Sequence, residues 1–182
     1  AILIADSSQS TGVNWGTLST KVATSASIFT VSSTASETSL ISVSVPASIL
    51  GSSNAIRLTA FVSALNYEGN SGLIIKGVYG ATSVATISIS SPANGGLSPV
   101  NHKGKIELVI LANNSVSAQR GNLSLLLGSD RLAPMGIVAS IVSAFATSTS
   151  AEDSGAAKNI GLTVKWGDSL TENNISINGY TV

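Results

Sequence analysis

The sequence predicts an all-β protein: an antiparallel β-sandwich, jelly-roll-like, with an extended N-terminal arm. Three observations carry this reading. Apolar and polar residues alternate with period two through most of the 182-residue chain, which turns one side of each segment toward a core. Clusters of Gly, Asn, Ser and Pro separate the segments, and these residues favour turns. No long window repeats its apolar residues at the helical spacing.

Residues 1–26 differ from the rest. They are rich in Ser, Thr and Gly, with isolated apolar anchors at Ile2, Ile4, Val13, Trp15 and Leu18. Such a segment is expected as a partner-binding arm that gains order by lying on a neighbour. The sandwich domain then spans residues 27–182.

Ser27–Val31 reads as the first strand of the sandwich. Ile41, Val43 and Val45 alternate with Ser42 and Ser44 until Pro46 stops the run, and Ala47–Leu50 suits one helical turn. Ile56, Leu58, Ala60 and Val62 form the next inward row. Leu73–Tyr79 is a short apolar strand between Gly72 and Gly80. Ala85, Ile87 and Ile89 follow, then Ile106, Leu108 and Ile110, then Leu123, Leu125 and Leu127. Ile160, Leu162, Val164 and Trp166 share a face, which places Trp166 in the core. Ile175 and Ile177 close the chain. A single domain with more than about eight strands favours a jelly roll over the seven-stranded immunoglobulin arrangement.

The segment Ile137–Thr147 is apolar on both faces. Ile137, Ala139, Ile141 and Phe145 lie on one, and Val138, Val142, Ala144 and Ala146 on the other. A strand of this kind is covered on both sides. The second cover is expected from another subunit, with Val138, Val142 and Ala144 at the oligomer interface. Leu126 gives its strand the same two-sided tendency.

Composition narrows the function. Charged residues are 10% of the chain, against roughly 25% in ordinary domains. Nine basic and nine acidic residues cancel, while 33 Ser and 15 Thr supply small hydroxyls. Mean hydropathy is nonetheless +0.40, so the chain has enough apolar residues to fold. A neutral, charge-poor surface resists self-association weakly, which suits life inside an assembly. It gives nucleic acid or an anionic membrane no electrostatic handle. No apolar run approaches the ~20 residues of a spanning helix, and Ala1–Asp6 lacks the pattern of a signal peptide.

No catalytic, cofactor-binding or metal-binding residue is expected. Cys is absent, which excludes thiol catalysis and Cys-zinc sites. A Ser-His-Asp site would need His102, the only His, yet no Gly-x-Ser-x-Gly elbow occurs and Asp is scarce. His102 reads as a solvated loop residue. Glu68, Glu152, Asp153, Asp168 and Glu172 fall in turns, and their spacing matches no calcium loop. Glu107 reads as a solvent-facing residue in mid-strand. Tyr67 and His102 mark two loops, Leu65–Ser71 and Ser90–His102, that a receptor-binding function would use.

Two stretches carry a resemblance. One is Thr38-Ser39-Leu40-Ile41-Ser42-Val43-Ser44-Val45-Pro46-Ala47-Ser48-Ile49-Leu50-Gly51, followed by Asn54-Ala55-Ile56-Arg57. The other is Gly161-Leu162-Thr163-Val164-Lys165-Trp166-Gly167, followed by Asn173-Asn174-Ile175-Ser176-Ile177. Together they resemble the small β-sandwich virion proteins of tailed bacteriophages: capsid decoration (cement) proteins, head fibres and tail-fibre tips. The similarity runs over residues 27–182 and lies in strand and turn character, so it transfers no functional residue. It implies a structural virion protein on the capsid surface that binds the major capsid protein, and a homotrimer. Absence of a heptad, a shaft repeat or a collagen-like tract favours the cement type. The alternatives are a tail-fibre tip that binds a host glycan or protein, and an extracellular carbohydrate-binding module.

Overall fold

The computed structural model describes residues 3–5, 13–15, 21–66, 72–89, 102–129, 142–167 and 173–182. Every regular element among them is a strand, and every pairing is antiparallel. In chain order these are β1 (Leu3–Ala5), β2 (Val13–Trp15), β3 (Thr24–Ser25), β4 (Phe29–Ser32), β5 (Thr38–Val45), β6 (Ala55–Asn66) and β7 (Leu73–Tyr79). Then come β8 (Thr82–Ile89), β9 (His102–Ser115), β10 (Ala118–Ser129), β11 (Val142–Ser150), β12 (Lys158–Trp166) and β13 (Asn174–Thr181).

Two sheets form the sandwich. The larger runs β11-β10-β9-β6-β13, with β3 and β4 both on the outer edge of β13; the smaller runs β5-β12-β7-β8. The pairing is nested: β4 with β13, β5 with β12, β6 with β9 and β7 with β8. This is the jelly-roll pattern, a long hairpin folded over so that outer pairs enclose inner ones. The hairpin partners β10 and β11 are added to it, extend the larger sheet beyond β9, and bring β11 alongside β8 of the smaller sheet.

The period-two rows meet between the sheets. Ile56, Leu58, Ala60, Val62, Ile106, Leu108, Ile110, Leu123, Leu125 and Leu127 come from the larger sheet; Val43, Val45, Ile75, Ile87, Ile160, Leu162, Val164 and Trp166 come from the smaller. All are buried, and each side chain of Leu or Ile size contributes about 1.5–3 kcal/mol. In the smaller sheet two bulges break the alternation. Leu40 is the extra residue opposite Leu162–Thr163, and Val84 the extra residue opposite Gly77–Val78. As a result Leu40 and Ile41, and likewise Val84 and Ala85, are consecutive and both buried. At Gly121 the sheets approach so closely that a methyl group there would lie 2.4 Å from the Val84 carbonyl oxygen.

Three expectations need correction. The arm does not end at residue 26: β3 pairs with β13, and the Val22 and Ala23 amides donate to the Val182 carbonyl at 2.7 and 3.2 Å. Residues 22–25 therefore belong to the sandwich, because the C-terminal strand offers them a free edge. The strand expected over Ile137–Thr147 lies in register over Val142–Ser150, and residues 137–141 lie outside the described residues. Ala47–Leu50 makes turns rather than a helix, closed by the Asn54 amide on the Leu50 carbonyl at 3.1 Å.

The two ends of the sandwich differ. At one end β6, β8, β10 and β12 finish and β7, β9, β11 and β13 begin, so the connections 67–71, 90–101, 130–141 and 168–172 all leave from it. At the other end the connections are tied to each other. The Ser154 amide and hydroxyl donate to the Val116 carbonyl at 2.7 and 2.9 Å, and the Ser48 amide donates to the Ser154 carbonyl at 3.1 Å. Residues 21–25 and Val182 also lie at this tied end.

Candidate functional site

The outer faces of the two sheets have different chemistry. On the smaller sheet the outward residues of β5 and β8 are mostly short and hydroxylated (Ser39, Ser42, Ser44, Thr86 and Ser88), with Thr163 and Lys165 on β12 and half-buried Ile74, Lys76 and Val78 on β7. The Glu37 carboxylate fastens the β4–β5 connection across this face. It accepts from the Thr163 hydroxyl at 2.8 Å and pairs with the Lys76 ammonium. Those two contacts, Lys76 first, hold its carboxyl below the usual range.

On the larger sheet the outward residues include bulky apolar groups. Phe145 is 66% exposed, Leu126 and Phe61 each 51%, and Leu111 45%. Register sets their positions. Leu126 of β10 is opposite Lys105 of β9, which is opposite Phe61 of β6. One row along, Phe145 of β11 is opposite Ser124, which is opposite Glu107, which is opposite Thr59. Phe145 and Leu126 are thus diagonal neighbours across adjacent strands. Phe61 lies three strands away from Phe145, about 14 Å at the usual strand spacing. Lys105 and Glu107 form an ion pair at 3.6 Å in the middle of the patch.

This face follows from the alternation itself. With Ile56, Leu58, Ala60 and Val62 inward, Phe61 must point out; with Leu125 and Leu127 inward, so must Leu126. Among the described residues, the large apolar side chains exposed on the strands all lie on this face, and the other two, Ile28 and Val116, lie between strands.

The second polar feature is the Glu152 clasp at the tied end. Its carboxylate accepts from the Ala81 amide at 2.8 Å and the Thr82 hydroxyl at 2.7 Å, and pairs with Lys158 at 2.8 Å. Gln119 donates to the Glu152 carbonyl at 2.7 Å and accepts from the Ser150 hydroxyl at 3.1 Å. The Lys158 and Thr82 contacts outweigh burial and lower the Glu152 carboxyl to about 2. Its partners are all supplied by the chain, so the arrangement joins the β7–β8 turn to the β11–β12 connection. Gly80, at φ +63°, has the only side chain that fits there, since a Cβ would meet the Glu152 carboxylate at 2.4 Å.

The expected site residues are distributed as follows. Ile2, Leu18, Tyr67 and Val138 lie outside the described residues. Ile4 is in β1 and Val13 and Trp15 in β2, which pair as a small separate sheet with Leu3 opposite Trp15. Val142 begins β11 opposite Leu127. Ala144 is half-buried against the chain's own core, so the outward face of β11 is the one that bears Phe145. Of the interface residues expected on that strand, Ala144 thus packs on the chain's own core. His102 is also corrected. It is 2% exposed at the start of β9, opposite Leu65 and Ser129, because the strand begins earlier than the loop composition suggests. Burial pushes its imidazole below the usual value. Glu107 is half-buried rather than free in solvent, with its side chain 24% exposed beside Lys105.

Trp166 is fully buried, as its phase predicts. Among the described residues no three His, Asp or Glu side chains cluster at metal-binding distance. Asp153 accepts from the Gly155 amide at 2.8 Å within its own turn. No family model matches the chain, and no curated protein is similar to it.

Proposed function

We propose that this protein is a structural component of a tailed-bacteriophage particle: a capsid decoration protein that clamps neighbouring capsid subunits and stabilises the shell. The observation that carries the reading is the contrast between the two outer faces of one rigid jelly roll. One face presents mostly short hydroxyl groups, with its apolar Ile74 and Val78 half-buried, and the other presents the exposed Phe61, Leu126 and Phe145 around the Lys105–Glu107 ion pair. A sandwich with one wettable side and one apolar side suits a position where only one side meets solvent. The resemblance of the Thr38–Arg57 and Gly161–Ile177 stretches to small phage β-sandwich proteins points the same way. Burial on a partner at about 25 cal/mol per Å² offsets the cost of association, and repetition over a shell adds avidity.

The test is copy number in purified particles, measured by quantitative mass spectrometry against the major capsid protein. A ratio near that of the capsid protein supports the proposal. A few copies per particle, or labelling confined to the tail by immunogold microscopy, would replace it with the tail-fibre-tip reading.

A further inference from the structure

We infer that Asn178–Gly179 is a self-modifying site: the pair closes to a cyclic imide, opens in water to aspartate and isoaspartate, and the isoaspartate form releases β3 from β13. The ladder carries this. β13 is paired on both sides, and both pairings skip the same two residues. Toward β6 the register steps from Ile177 opposite Val62 to Tyr180 opposite Ala60. On the outer edge it steps from Ile177 opposite Phe29 of β4 to Tyr180 opposite Ser25 of β3. Every other residue of β13 has a strand partner. A regular ladder fixes the backbone and so resists ring closure; a bulge leaves its extra residues unpaired.

The chemistry of the pair fits its place. Asn178 is exposed, and among the described residues no hydrogen bond holds its carboxamide. Gly179 has φ +112°, in the range that favours glycine, and its missing side chain leaves its own nitrogen unhindered. That nitrogen attacks the Asn178 Cγ. The N–Cγ bond forms, the Cγ–Nδ2 bond breaks, and the proton of the Gly179 amide leaves with the side-chain nitrogen as ammonia. Water then opens the imide. Attack at Cγ breaks the new bond and gives aspartate. Attack at the Asn178 backbone carbonyl carbon breaks the original peptide bond and gives isoaspartate, whose chain runs through the side-chain methylene. Both products are carboxylates that release a proton to solvent.

Isoaspartate lengthens the backbone between Ile177 and Tyr180. Ahead of the site β4 pairs four residues with β13; beyond it β3 pairs only two. The Gly179 backbone also lies hard against β3, where a Cβ would run into the Ser25 carbonyl oxygen. The longer, charged backbone therefore displaces β3, the shorter ladder, and with it the Val22 and Ala23 bonds to Val182.

The experiment ages the full chain at mildly alkaline pH and physiological temperature, with the same chain in urea as reference. Fragmentation of the C-terminal tryptic peptide separates Asn178 from the other Asn-Gly pair of the sequence, Asn94–Gly95. Asn178 is expected to gain about 1 Da, at a rate within about tenfold of the unfolded chain. An Asn178 that stays an amide in the folded chain while it converts in urea would overturn the inference. In the isoaspartate fraction, hydrogen exchange at the Val22 and Ala23 amides is expected to be about tenfold faster or more. Unchanged exchange there would also overturn it. Asn178→Gln, at an exposed position and slow to close the larger ring, should age without either change. Neither readout bears on copy number in the particle, so the two proposals fail separately.

Discussion

The Glu152 carboxylate and the Lys158 ammonium, six residues apart and 2.8 Å from each other, hold the β7–β8 turn against the start of β12. The carboxylate sits at about 2 instead of 4.5. A lowered carboxyl contributes stability that is complete above its unfolded value and is lost as pH falls toward its folded value. Glu152→Gln should therefore cost about 2 kcal/mol at neutral pH and progressively less between pH 4.5 and 2. Urea unfolding of both proteins across that range measures the difference.

His102 shifts in the same direction for a different reason. Burial disfavours its charged form and lowers its value from 6.5. The folded protein then binds fewer protons than the unfolded chain, so stability is complete above pH 6.5 and falls as the solution is acidified below it. Because the chain has one His, a single imidazole resonance reports the titration directly. A resonance that titrates at or above the free value would contradict the burial of this side chain.

Gly121 tests the closure between the sheets. A methyl group there meets the Val84 carbonyl, which is backbone and fixed by the bulge. Gly121→Ala should destabilise by about 1–3 kcal/mol. Gly128, on the same strand with nothing within reach of a Cβ, is the control and should tolerate Ala with a much smaller change in melting temperature.

The N-terminal boundary is testable by truncation. Removing residues 1–20 spares β3 and the Val22 and Ala23 bonds to Val182, so the sandwich should melt as before. Removing residues 1–25 exposes the edge of β13 and should lower stability by about 1–3 kcal/mol through lost hydrogen bonds and apolar cover. If the shorter truncation already unfolds the domain, the boundary is misplaced.

The strands were legible because their cause is local. Ile56 to Val62, Ile106 to Ile110 and Ile160 to Trp166 each declare an inward row by alternation alone, and the structure buries every one. The nested pairing was visible only as a fold class, since no residue of β4 names β13 as its partner. Bulges escaped notice for a similar reason: Leu40 and Val84 look like ordinary members of apolar runs until the opposite strand sets the register. His102 misled because its neighbours Asn101, Lys103 and Gly104 have turn composition, while its burial is imposed from β6 and β10. The exposed patch was half legible. Leu126 stood out of phase with its row, but Phe61, Leu126 and Phe145 come together only through the order of four strands.

That order also governs how the chain must be assembled in time. The Thr30 and Ser176 hydroxyls bond at 2.8 Å across 146 residues of sequence, and β5 waits almost as long for β12. During synthesis only the β1–β2 pair, the β7–β8 hairpin and the β9–β10–β11 meander, among the described strands, can pair with what has just been made. The early strands β4 and β5 must stay unpaired until β13 and β12 emerge, with loop-closure entropy still to be overcome. Folding of the sandwich is therefore expected to be slow and to wait for β12 and β13. The Ser and Thr alternation along β5 then gains a second use: it keeps a strand that waits for its partner soluble while its edges are bare.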